Sequence, residues 1–143
     1  MNIACIGTGF VGVVTSAVLA KLGNRIIGLD IAQSKVDSLK QGIVPFFEPG
    51  LSELLIETQK AGNLSFTTDY KEAISTADIV MIMVGTPSNQ DGPADLKYVY
   101  AAADSLAPYL KAGAIVIIKS TVPPGTGAKV AASIKAKTNV AFE

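Results

Sequence analysis

One stretch limits the possible folds more than any other. Asn2 to Gly12 reads Asn-Ile-Ala-Cys-Ile-Gly-Thr-Gly-Phe-Val-Gly. Its first half is a short apolar run and its second half is Gly7-x-Gly9-x-x-Gly12. Val13 to Leu22 follows, rich in Val, Ala and Leu and free of proline. The order is strand, glycine turn, helix. In such a unit the first glycine permits the tight turn and the second lets a pyrophosphate approach the backbone. The third brings helix and strand close. The free N–H groups and positive dipole end of the helix then face the phosphates. Glycine-rich turns are common, and a plain βαβ unit would share them. Here the context is present too. Gly23-Asn24 suits a left-handed helix cap, and Arg25 to Leu29 reads as a second strand ending in Asp30. Asp30 lies eighteen positions after Gly12, against the roughly 20 expected of a carboxylate that grips an adenosine ribose.

The rest of the chain repeats the alternation of strand and helix. Gln33 to Lys40 suits a short helix, with Lys35 either near the adenosine end of a dinucleotide or merely solvated. Ile43 to Pro49 is a loop whose Phe46 and Phe47 form a site wall or a plug over the core. Pro49 suits the first turn of a helix carrying Leu51, Leu54 and Leu55. Leu64 to Thr67 is a strand candidate, and Asp69 with Glu72 resembles a capping box. Ile79 to Val84 and Ala114 to Ile118 are continuous apolar runs. Such runs are expected of strands buried on both faces of a parallel sheet. Asp95 can cap a long helix that Pro108 should kink or end. Asn89 to Ala94 is turn-rich, and Pro123-Pro124-Gly125 makes a rigid turn before a helix around Val130 and Ile134. Asn139 to Phe142 begins a sixth strand. The expected fold is α/β, a Rossmann-type doubly wound parallel sheet in three αβα layers, with 1–143 as one domain.

Ligands of open α/β sheets bind outside the carboxyl ends of strands, where strand order reverses. Counting strands puts Gly85, Thr86 and Pro87 there, opposite the opening glycines; an ordinary turn is the alternative. Ser120 and Thr121 follow the next strand and can reach the same crevice. Asp30 would repel a 2′-phosphate, and no arginine stands at position 31 or 32, so NAD is expected rather than NADP. Lys35 is the one feature pulling the other way.

Composition closes off other classes. Lys plus Arg and Asp plus Glu number 12 each, so the basic excess of a nucleic-acid binder is missing. There is no histidine and one cysteine, Cys5, within the first strand. A metal site and a disulfide framework are therefore not expected. No apolar run approaches the roughly 20 residues of a membrane span, and the glycines break any signal-peptide pattern. The expectation is a cytoplasmic protein.

With these residues in hand, the chain resembles the amino-terminal domain of the UDP-glucose/GDP-mannose dehydrogenase family over essentially its whole length. The resemblance rests on five stretches in order: Ile6 to Gly12, Glu48 to Leu51, Val84 to Pro87, Ala94 to Val99 and Lys119 to Thr126. The last two favour the UDP-glucose branch over the GDP-mannose and UDP-N-acetyl-hexosamine branches. The resemblance implies two successive NAD-dependent oxidations of a sugar nucleotide, UDP-glucose, to a carboxylate. A cysteine thiohemiacetal and thioester lie between. It also implies a homo-oligomer for the full-length enzymes. The implied cofactor set is Gly7, Gly9, Phe10, Val11, Gly12, Asp30, Lys35, Gly85, Thr86, Pro87, Ser120 and Thr121. Val11 would lie on the pyrophosphate, Lys35 beside the ribose, and Thr86 and Thr121 on the nicotinamide side. Thr121 would also have an auxiliary catalytic role in positioning a water. Phe10 and Phe47 stand where the family often has tyrosine, so those hydroxyls are lost. The family's Asn-Pro-Glu motif, nucleophilic cysteine and catalytic lysine are not in these 143 residues. Cys5 matches no catalytic position. The chain is therefore expected to bind NAD without turning over sugar nucleotide. A related β-hydroxy-acid dehydrogenase, or a non-catalytic nucleotide sensor on the same fold, are the other readings.

Overall fold

The computed structural model describes residues 1–87 and 94–143. The turn-rich stretch expected from residue 89 lies almost wholly outside the described residues. Five strands form one parallel sheet: β1 (Asn2–Ile6), β2 (Arg25–Leu29), β3 (Leu64–Thr67), β4 (Ile79–Ile82) and β5 (Ile115–Ile118). Their spatial order is β3-β2-β1-β4-β5. The sheet therefore reverses between β1 and β4, where Cys5 pairs with Met81 and Ile6 with Ile82.

Period-two alternation divides the core into two layers. On one face Ala4, Ile6, Leu29, Val80 and Ile82 pack with α4 (Tyr70–Ile74), α5 (Lys97–Leu106) and α6 (Thr126–Lys135). On the other, Ile3, Cys5, Ile26 and Phe66 pack with α1 (Phe10–Lys21), α2 (Gln33–Lys40) and α3 (Leu51–Lys60). The three-layer expectation holds. Among the described residues no helix is long and apolar enough to cross a membrane.

The expectation that β4 and β5 are buried on both faces does not hold. Helices α1 to α3 pack mainly on β1, β2 and β3, and among the described residues the same face of β5 stays largely open to solvent. Ile115 is 41% exposed and Ile117 38%. Ile79 and Met81 of β4 are only half-buried. The expected start of a sixth strand is seen as a parallel bridge, Ala114 with Phe142, with the Glu143 backbone bonded to Ala114 and Val116.

Local chemistry sets the element ends. Asp69 caps α4, accepting from the Lys71 N–H at 2.8 Å. Its capping-box partner does something different. Glu72 accepts from the Thr67 hydroxyl at 2.6 Å, and that oxygen accepts the Asp69 N–H at 3.1 Å. Asp95 accepts from the Lys97 N–H at 3.0 Å one residue before the helix cap, which is Leu96. Pro108 ends α5 as its ring requires, and the chain passes into a 3₁₀ turn, Ala107–Tyr109. Pro49 falls before α3 rather than in its first turn, since Gly50 is the cap.

Candidate functional site

The turn after β1 and the end of β4 are pressed together. Gly7 has a φ of +96°, and a Cβ there would meet the Met83 carbonyl oxygen at 2.7 Å. A Cβ on Gly12 would stand 1.9 Å from the Gly7 carbonyl oxygen. Only glycine at both positions lets α1 begin this close to the turn. Gly9 is different, because a Cβ there meets nothing within 4 Å. Its open side is a cradle toward solvent, not a packing contact.

No side chain caps α1, and its first turn carries no acidic residue. Val13 N–H begins the helical ladder by donating to Gly9 O at 2.9 Å. The N–H groups before it have no partner within the helix and form an anion-accepting end.

A cavity of about 570 Å³ opens beside this turn, within the roughly 300–1,000 Å³ usual for small-molecule sites. Gly7, Thr8, Gly9, Asp30, Lys35 and Gly85 are among the residues that line it. Ile31, Tyr70 of α4, and Tyr98, Ala101, Ala102 and Ser105 of α5 line it too. The lining thus combines glycine turns and a carboxylate, which suit phosphates and a ribose, with aromatic and aliphatic side chains, which suit a flat heterocycle.

Asp30 is the electrostatic centre. It is only 8% exposed. Its Oδ2 accepts the Thr8 N–H at 3.0 Å, the Thr8 hydroxyl at 2.7 Å and the Lys35 ammonium at 2.9 Å. Its Oδ1 accepts the Ala32 N–H at 3.1 Å. Burial pushes the carboxyl's pKa up, but the two Thr8 donors, Lys35 and Ala32 outweigh it and hold it below the ordinary aspartate value. Burial and the Asp30 charge raise the nearby Tyr70 phenol, against the pull of the Ser105 hydroxyl.

Of the twelve expected cofactor residues, the structure gathers Gly7, Gly9, Asp30, Lys35 and Gly85 on this cavity. Lys35 is an ion-pair partner of Asp30 rather than a solvated lysine. Gly12 serves the close approach of α1. Phe10 and Val11 lie half-exposed on the first turn of that helix, off the cavity lining. Phe10 packs on Phe46, with ring centroids 5.0 Å apart and planes tilted by 56°. Phe46 is thus a plug on the core, while Phe47 is 90% exposed. Thr86, Pro87, Ser120 and Thr121 follow the carboxyl ends of β4 and β5 but are not on the cavity wall. The Ser120 hydroxyl donates to Val84 O at 2.7 Å. That bond ties the two strand ends together and uses its only donor. Thr121 is exposed.

Thr8, Tyr70, Tyr98 and Ser105 escaped the sequence reading. Thr8 occupies the free position of the fingerprint. Tyr98, Ala101, Ala102 and Ser105 carry a signal that could have found them. Their i, i+3, i+4, i+7 spacing makes one helical stripe beside the core-facing one. Tyr70 has no such mark.

Cys5 is buried in β1, and burial pushes its thiol up to about 11 against the pull of the Ser16 hydroxyl. It is held as a neutral core group. Among the described residues no group of three or more Cys, Asp or Glu side chains could hold a metal ion.

Comparison with known proteins bears on the family and the fold. The model of the UDP-glucose/GDP-mannose dehydrogenase family, NAD binding domain, matches residues 1–143. The UDP-glucose 6-dehydrogenase of Rhizobium meliloti is 45% identical over 144 residues, covering 100% of this chain and 33% of the relative. The Bacillus subtilis UDP-glucose 6-dehydrogenase YwqF is 44% identical, covering 88% of this chain and 29% of the relative. The crystal structure of a ternary complex of GDP-mannose dehydrogenase from Pseudomonas aeruginosa superposes with a TM-score of 0.95 at 35% identity. It covers 100% of this chain and 35% of that one. The UDP-glucose dehydrogenase of Pyrobaculum islandicum gives 0.93 at 39% identity, covering 98% and 34%. The chain thus spans about a third of the length of these relatives. On the strength of the full-length family match and the shared fold, the chain belongs to the UDP-glucose/GDP-mannose dehydrogenase family and corresponds to its NAD-binding domain.

Proposed function

We propose that residues 1–143 form the cofactor domain of an enzyme that oxidises UDP-glucose to UDP-glucuronate in two NAD-dependent steps. The single observation that carries this reading is the convergence of Gly7, Gly9, Asp30 and Gly85 on one cavity at the sheet's reversal point. The residues fit a dinucleotide. The open side of Gly9 receives the pyrophosphate, and the uncapped N–H groups of α1 at Phe10, Val11 and Gly12 face its charge. Asp30 takes the adenosine ribose, with Lys35 beside it. Ile31 and the Tyr98–Ser105 stripe flank the adenine. Gly85, Thr86 and Pro87 lead toward the nicotinamide, with Ser120 bracing the loop and Thr121 next to the reacting end. NAD, when bound, supplies the hydride acceptor. The chain's own residues bind, orient and screen it.

Support for UDP-glucose comes from the naming of the relatives at 39–45% identity. The match to GDP-mannose dehydrogenase at 35% supports a second reading with another sugar nucleotide. The proposal places the protein in the cytoplasm and the longer enzyme in a homo-oligomer. NAD is preferred over NADP because the buried Asp30 carboxylate would face a 2′-phosphate. Calorimetric titration of the chain with both dinucleotides tests this. Tighter binding of NAD is expected, and tighter binding of NADP would overturn the assignment.

A further inference from the structure

The two oxygens of Asp30 differ chemically in this fold. Three donors converge on Oδ2, two of them from Thr8. A carboxylate oxygen has about two lone-pair sites, so Oδ2 is saturated. Oδ1 holds a single backbone bond, from Ala32, and keeps acceptor capacity. The donors also differ in rigidity. Thr8 is wholly buried and its hydroxyl sits on one short bond. Lys35 reaches Oδ2 through a long chain that is 36% exposed.

We infer that Thr8 is a positioning residue. Its N–H and hydroxyl pin Oδ2 to the turn, so that Oδ1 is the oxygen presented to a vicinal diol, the ribose of the adenosine half. This rests on the NAD-binding reading above and adds to it. The middle residue of the Gly7-x-Gly9 turn is free in the glycine fingerprint, yet here it sets the orientation of the acidic residue on the neighbouring strand. Without the hydroxyl the carboxylate keeps one backbone bond and one flexible ammonium at Oδ2. It then turns about its own axis and presents either oxygen.

Thr8→Val tests this, since it keeps shape, branching and the N–H and removes only the hydroxyl. Thr8→Ser is the rescue variant. Two readouts are taken on the 143-residue chain: NAD affinity by calorimetry, and the titration of Asp30 by carbon-13 NMR without ligand. The titratable groups facing Asp30 are Lys35 from α2 and Tyr70 from α4, and both remain in the variants. Thr8→Val is expected to weaken NAD binding about tenfold, the scale of one hydrogen bond to a charged group, and to raise the Asp30 pKa. Thr8→Ser is expected to restore both. If the wild-type chain binds NAD and Thr8→Val binds equally well, the inference is overturned. It is also overturned if Thr8→Val leaves the Asp30 titration in place, because a purely structural role would do that. A wild-type chain that binds no NAD would overturn the cofactor reading itself, together with this inference.

Discussion

At the residue scale, the proposal rests on Asp30 and on the Thr8–Asp30–Lys35 cluster that holds its carboxylate. Asp30→Ala should weaken NAD binding by about 1–3 kcal/mol, the scale of a lost hydrogen bond to a charged group. It also frees the Lys35 ammonium, which is paired with Asp30 in the native chain. The preference for NAD over NADP should therefore shrink in the same variant, and titration with both dinucleotides reads both effects. The acid stability follows from the same cluster. A carboxyl held below its unfolded value stabilises the fold fully above that value, and the contribution is lost as pH falls through the folded one. For Asp30 the loss lies below the ordinary aspartate value of about 3.9. Urea midpoints measured between neutral pH and pH 3 should fall less in Asp30→Asn than in the wild type. An identical fall would take Asp30 out of the acid response. Asp30 itself was legible in the sequence, from its distance to the glycines. Lys35 was half legible, because spacing places a side chain near a ligand but does not show which partner it takes. Thr8 was not legible, since a hydroxyl's partner at the end of the neighbouring strand leaves no local pattern.

At the scale of elements, the unit β1–turn–α1 is the most constrained part of the chain. A methyl group on Gly12 would drive into the Gly7 carbonyl. Gly12→Ala should cost about 1–3 kcal/mol, the usual price of overpacking, and should displace the helix end proposed to face the phosphates. Thermal unfolding and NAD titration of that variant should therefore decline together. The sheet gives a second contrast. Ile82 is buried against α5 and α6, whereas Ile117 is exposed on the bare face of β5. Ile82→Ala should cost about 2–5 kcal/mol. Ile117→Ala should cost well under half of that, because much of its apolar surface already meets water. Denaturant unfolding of the two variants checks the difference, and equal losses would contradict the uncovered face. That face was not legible in the sequence. Ile-Val-Ile-Ile looks the same whether one side or both are covered, since an all-apolar run carries no alternation to read. Many turn and helix ends were legible because glycine and proline act through their own backbones, but the starts expected at Pro49 and Asp95 each fell outside the helix. The capping box was only partly so, since Thr67 intervened from the preceding strand.

At the scale of the molecule, the strand order β3-β2-β1-β4-β5 is one of the few that alternating elements and right-handed crossovers allow, and it brings the segment after β4 beside Gly7. Gly85 is on the cavity lining, whereas Thr86 and Thr121 lie off it. These 143 residues hold one thiol, buried and neutral. Steady-state assay of the chain with UDP-glucose and NAD should therefore give no NADH. Sustained NADH production would mean that another group in the chain does the work of the family's nucleophile. The central claim is that an adenine dinucleotide lies across the reversal point of the sheet, between the opening glycines and the segment after β4. Nitrogen-15 NMR of the labelled chain during NAD titration tests it most directly. Shifts should concentrate at Gly7 to Gly12, Asp30 to Lys35 and Gly85 to Thr86, and leave Asn2, Arg25 and Asn63 at the opposite end of the strands unmoved. Shifts confined to that opposite end, or none at saturating NAD, would contradict the account.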